Sequence, residues 1–69
     1  MIVYDKLWNL IYDRHITRSK LCEECGISRV TMVRMKKNEP VSLDVIDRIC
    51  KELNCDISDI ISYKSDNLY

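Results

Sequence analysis

The chain has 69 residues, 46% of them hydrophobic, and its eleven Lys and Arg balance eleven Asp and Glu. A chain this short buries only about 60% of its unfolded surface, which leaves room for one small core, so a second, ligand-sensing domain is not expected. A net charge of zero argues, taken alone, against a nucleic-acid partner, and the distribution of charge along the chain has to decide the matter.

With one Gly, one Pro and no alternating apolar run long enough for a sheet, the expected class is all-α. No apolar run approaches the ~20 residues of a membrane span, and the Met1-Ile-Val-Tyr-Asp start lacks the basic and apolar segments of a signal peptide. A cytoplasmic protein without a membrane partner is expected.

Taken in order, Tyr4, Leu7, Trp8 and Ile11 recur at helical spacing and predict a core-building helix from about Tyr4 to Arg14. His15 follows at its C-terminal flank, where a left-handed residue is often needed, and reads as a turn residue. The next four helices share one device. An N-cap candidate is preceded by an apolar residue and followed four positions later by another, the hydrophobic staple. The cases are Thr17 with Ile16 and Leu21, Ser28 with Ile27 and Met32, Ser42 with Val41 and Ile46, and Asp56 with Cys55 and Ile60. They predict helices over Arg18 to Cys25, Arg29 to Lys37, Leu43 to Leu53 and Ile57 to Ile61, five in all.

Gly26 ends the second helix where a positive φ turns the chain sharply into the third, and Cys22 supplies a small side chain where the two helices cross. On the third helix Met32 and Met35 should face inward, leaving Arg29, Val30, Thr31, Val33, Arg34 and Lys37 outside. Two valines are odd on a merely solvated helix, since Val is a modest helix former that gains nothing from water. Glu39-Pro40 then forces a break. The fourth helix carries Leu43, Ile46, Ile49, Cys50 and Leu53 inward and reads as scaffold. Asn54 is a natural left-handed terminator. The tail from Ser62 to Tyr69 has no helical pattern. Its Tyr63, Leu68 and Tyr69 suit a partner contact, and Ile2 to Tyr4 could pair with it as a short strand.

Charge follows the same division. From Thr17 to Asn38 six basic residues face two acidic ones, whereas from Glu39 onward three basic residues face seven acidic ones. A basic pole on one segment and an acidic pole behind it would orient the protein toward phosphate while suppressing indiscriminate sticking. Two short helices joined at a glycine, the second with a cationic, valine-bearing outer face, outline a helix-turn-helix reader of double-stranded DNA. Arg29 and Arg34 could donate paired hydrogen bonds to guanine, while Val30 and Thr31 could supply methyl or water-mediated contacts. Thr17 and Arg18, at the start of the second helix, suit a phosphate. Lys36, Lys37 and Asn38 suit the duplex backbone, with Ser28 and Val33 completing that set.

The staples, Gly26, the run Thr17-Arg18-Ser19-Lys20-Leu21-Cys22-Glu23-Glu24-Cys25-Gly26-Ile27-Ser28, then Met32, Met35 and the Lys37-Asn38-Glu39-Pro40-Val41-Ser42 exit together resemble the Xre family of phage-repressor-like and Cro-like regulators. The resemblance covers about Tyr4 to Ile61 and is strongest to small single-domain members. It implies a compact five-helix, lambda-repressor-like fold over residues 1–69, with a core at 4–61 and a tail at 62–69. It also implies operator binding, usually as a homodimer, with reader positions on Arg18, Arg29, Val30, Thr31 and Arg34 and phosphate positions on Lys36, Lys37 and Asn38. Gln or Asn often occupies the base-reading positions in that family. This chain has Arg and Val there, so no operator sequence carries over. His15 stands where Gly is common.

Cys22-x-x-Cys25 and Cys50-x4-Cys55 invite a zinc reading. All four, however, fall where an apolar residue is wanted, and free Cys behaves as a small hydrophobe. No metal, cofactor or small-molecule ligand is expected. No Gly-rich phosphate loop, activated nucleophile or placed acid pair points to an enzyme. The alternative reading is a protein-interaction module of the same fold, antitoxin-like or a regulator's partner.

Overall fold

The computed structural model describes residues 1–65. They form β1 (Ile2–Val3), α1 (Asp5–Asp13), α2 (Arg18–Cys25), α3 (Arg29–Lys36), α4 (Leu43–Leu53), a single 3₁₀ turn (Ile57–Asp59) and β2 (Ser62–Tyr63). Three helices begin on a cap supplied by the chain itself. Thr17, Ser28 and Ser42 sit in extended backbone, and their hydroxyl oxygens accept the N–H groups of Lys20, Thr31 and Val45. Each thereby satisfies a donor that has no partner within its own helix. The apolar pairs around these caps all join one core, with Leu21, Ile27, Met32 and Ile46 buried and Ile16 and Val41 packed against them.

The entry to α1 is made differently. Tyr4 has no side-chain cap; its own N–H donates to Asn38 Oδ1 at 3.3 Å, and its phenol donates to the Glu39 carbonyl at 3.0 Å. The exit of α3 is thereby held to the start of α1. Burial raises the Tyr4 phenol pKa above its usual value, an effect opposed by a backbone hydrogen bond with Val41.

Gly26 closes α2 at φ 66, and His15, Asn38 and Asn54 take the same left-handed conformation at the other turns. At Gly26 it is the dihedral that demands glycine. A Cβ there would meet Arg48 Nη1 at an ordinary 3.7 Å. Leu7, Met35, Ile49 and Ile60 are wholly enclosed, and side chains of this kind each contribute roughly 1.5–3 kcal/mol when fully buried.

Two expectations change: Leu43, read as part of the inward stripe of the fourth helix, is 75% exposed, and the number of helices falls by one. The fifth helix is absent: Ile57–Asp59 makes one 3₁₀ turn, and the described residues contain four α-helices. The Asp59 carboxylate accepts the Asp56 N–H at 3.0 Å, so the turn closes on itself. Beyond it Ile60 alone is buried, while Ile57 is 42% exposed, so no apolar stripe supports another turn. The helical class stands, with a minimal antiparallel ribbon added in which Ile2 faces Tyr63 and Val3 faces Ser62. The anticipated pairing of the two ends thus forms, with Tyr4 left outside it as the residue flanking α1. Leu68 and Tyr69 lie outside the described residues. No helix among the described residues is long and apolar enough to cross a membrane.

Candidate nucleic-acid interface

The left-handed turn at Gly26 and the Ser28 cap set the direction in which α3 leaves α2, and side-chain size then sets its rotation. Met32 and Met35 are buried, at 6% and 0% exposure, which turns the rest of the helix outward. Val30 is 66% exposed and Val33 42%, with Arg29, Arg34, Lys36 and Lys37 exposed around them. The side predicted to be bare is bare among the described residues.

Two adjoining hollows organise this surface. Arg29, Val30, Val33, Arg34 and Lys37 line one, with Glu39 at its edge. Arg18, Ser19, Arg29, Val33 and Lys36 line the other over a floor of Cys22 and Met32, in the groove between α2 and α3. Arg29 and Val33 belong to both. The fold therefore gathers Arg18 from α2 with three of the α3 candidates, Arg29, Val33 and Lys36, in one groove. Ser19, which the sequence reading did not single out, joins them on the same rim.

The remaining candidates are placed otherwise. Thr31 is half-buried, and its hydroxyl accepts from Ser28 Oγ at 3.0 Å while the Thr31 N–H donates back to Ser28 Oγ at 3.1 Å. Thr17 Oγ1 accepts the Lys20 N–H at 3.1 Å. Asn38 is half-buried, and its side-chain oxygen accepts the Tyr4 N–H, which leaves its amide NH₂ as the donor to a partner. Ser28, Thr17 and Asn38 are first of all structural pieces of the turns that aim α3.

Electrostatically, the α3 surface is uncommitted. None of Arg29, Arg34, Lys36 and Lys37 forms an ion pair with a described residue, whereas Lys20 sits 3.5 Å from Glu23 and 3.9 Å from Glu24. The basic pole inferred from the sequence is thus led by α3, with Lys20 largely answered on α2. Arg18 lies with its guanidinium carbon 4.7 Å from the centre of the Trp8 ring. No sequence pattern announced that contact.

Basic residues elsewhere are absorbed by the fold. Arg48 Nη1 donates to the Gly26 carbonyl at 3.1 Å, and its Nη2 lies 2.9 Å from Asp44. Arg14 donates to the Leu53 carbonyl at the end of α4, where a cation complements the helix dipole. These contacts clamp α4 to the helix-turn-helix and to α1.

All four cysteines are free thiols, Cys25 buried and the others half-buried. Among the described residues no three His, Cys, Asp or Glu side chains are grouped so as to hold a metal. Burial, reinforced by the negative charge of Glu52, pushes the Cys25 thiol up to about 11. The Cys50 thiol is raised for the same first reason and by its neighbour Cys55. Protonated, desolvated thiols are poor nucleophiles and poor metal ligands at neutral pH.

No curated protein sequence matches the chain significantly. Among solved structures, that of the transcriptional regulator VanUg is similar with a TM-score of 0.86 and 46% identity, over 88% of this chain and 81% of that one. Residues 6–66 match the model of the Cro/C1-type helix-turn-helix DNA-binding domain. That span takes in α2, α3 and α4 whole and all of α1 but Asp5, and the chain belongs to the Cro/C1-type family of helix-turn-helix DNA-binding domains.

Proposed function

We propose that this DNA-binding domain is a sequence-specific transcriptional regulator that occupies an operator as a repressor, with α3 in the major groove. The observation that carries the reading is the open side of α3, on which two exposed valines lie among unpaired cations. In this reading Arg29 and Arg34 contact base edges, Val30 meets thymine methyl groups, and Thr31 contributes through its methyl or through water. Arg18, Val33, Lys36 and Lys37 hold the duplex backbone directly, while Thr17, Ser28 and Asn38 face it from the turns. Residues 1–69 act as one domain, built on the core from Tyr4 to Ile61. Two copies on DNA would place their half-sites about one duplex turn apart, roughly 34 Å.

Selection of bound sites from a random duplex library tests the proposal. Enrichment of a defined motif that competes away mixed-sequence duplex supports it. Recovery of no motif, with equal affinity for every duplex, would remove the sequence-specific role.

A further inference from the structure

We propose that Trp8 is a positioning residue for the duplex: its indole holds Arg18 as a pre-aimed phosphate donor at the start of α2. The inference rests on the reading above that Arg18 meets the DNA backbone.

Trp8 belongs to α1 and is half-buried against the core, so its ring is fixed by packing. Arg18 is the first residue of α2 and lies across the turn from it, its guanidinium carbon 4.7 Å from the ring centre. Stacking occupies the flat face of a guanidinium and leaves its edge N–H donors free to point outward. No ion pair with a described carboxylate competes for them. An exposed arginine ordinarily loses much rotamer freedom on binding. A ring that already restrains the side chain lowers that cost at the moment of binding.

The surroundings fit a polyanion's backbone. The stack borders an open hollow in which Tyr12, Thr17 and Ser19 stand beside Ile11 and Ile16, and Tyr12 is 80% exposed. Arg18 and Ser19 also line the α2–α3 groove. The stacked cation therefore sits between the two depressions, at an α2 start whose backbone N–H groups favour negative charge. A purely structural stack would tie α1 to α2 and do nothing more, and this is the distinction to test.

The experiment is a double-mutant cycle on the full chain, reading affinity for a mixed-sequence duplex across salt concentrations, with thermal unfolding of each variant alongside. Arg18→Gln is expected to reduce the salt slope by about one. Trp8→Leu should weaken binding by about two- to fivefold, the scale of an exposed cation–π contact, yet have no further effect on top of Arg18→Gln. Trp8→Tyr, which keeps an aromatic face, should restore most of the loss. Should Trp8→Leu fail to fold, the emission of Trp8, the only tryptophan, supplies a second readout: duplex should change it in the wild type and leave it unchanged in Arg18→Gln. Equal losses from Trp8→Leu in both backgrounds, or no loss in either, would overturn the proposal, as would an emission change indifferent to Arg18. A wild-type chain with no affinity for duplex would instead sink the functional reading, and an unaltered slope in Arg18→Gln would remove Arg18 from the backbone set and this inference with it.

Discussion

The arginines of α3 and the arginines packed around α4 are the same residue type with opposite fates. Arg14 and Arg48 spend their donors on the carbonyls of Leu53 and Gly26, and Lys6 and Lys64 are likewise taken up by the Ser58 carbonyl and by Asp5. Arg29 and Arg34 have no such partner among the described residues. What separates them is backbone supply. Helix ends and turns at Leu53, Gly26 and Ser58 leave carbonyls unpaired and within reach of a long cation, while the exposed flank of α3 lies alongside a helix whose own carbonyls are already bonded. Charge bound internally serves the fold, and charge left over is available to a partner.

The comparison is broken most severely by disturbing what turns α3 outward. Met35 is fully enclosed, and Met35→Ala should lower stability by about 2–5 kcal/mol, the range for such core truncations. Chemical denaturation would measure it, and a loss below about 1 kcal/mol would mean that the inward side of α3 has been misassigned. Arg34→Ala should leave stability nearly untouched but cost ~1–3 kcal/mol on the best site and relax sequence preference there. Parallel binding curves on selected and scrambled duplexes would show whether the loss is specific. Arg48→Ala should do the reverse, lowering stability by about 1 kcal/mol through its hydrogen bond to Gly26 and its exposed pair with Asp44, while the preferred site stays the same. If Arg34 and Arg48 exchanged these phenotypes, the division between free and committed cations would fail.

A pH scan sharpens the picture from the core side. The Cys25 thiol ordinarily titrates near 9 and holds its proton to about 11 in the folded chain. Between those values the unfolded state has released a proton that the folded state keeps, so rising pH favours unfolding. Stability should therefore fall across that window in thermal melts at stepped pH. Cys25→Ala should flatten part of the fall, with the buried Tyr4 phenol contributing the same sign of dependence.

The parts of this fold that were legible in the sequence are those decided within four residues. The Thr17, Ser28 and Ser42 caps each reach a donor three residues ahead, and the positive φ of Gly26, His15 and Asn54 follows from residue types that tolerate it. The failed fifth helix had the same local signal, Asp56 with Ile60, but a cap and one buried isoleucine start a turn without supplying the stripe that continues it. The contacts that tie the helices to one another were out of reach, because Asn38 with Tyr4, Arg48 with Gly26 and Arg14 with Leu53 join residues 34, 22 and 39 positions apart. In the candidate site, the exposure of Val30, Val33 and the α3 cations followed from helical periodicity. The engagement of Thr31 by Ser28 and the seat of Arg18 on Trp8 depend on rotamers and on the α1–α2 turn, for which the chain offers no periodic mark.

The central claim concerns the unpaired cations of α3 and Arg18, and the salt dependence of wild-type affinity for duplex DNA tests it most directly. Arg18, Lys36 and Lys37 are the ones set against phosphate, and three neutralised phosphates predict that the logarithm of the association constant falls with the logarithm of salt concentration at a slope of roughly −3. A slope near zero would mean that these side chains meet something other than a phosphate backbone, and would contradict the account.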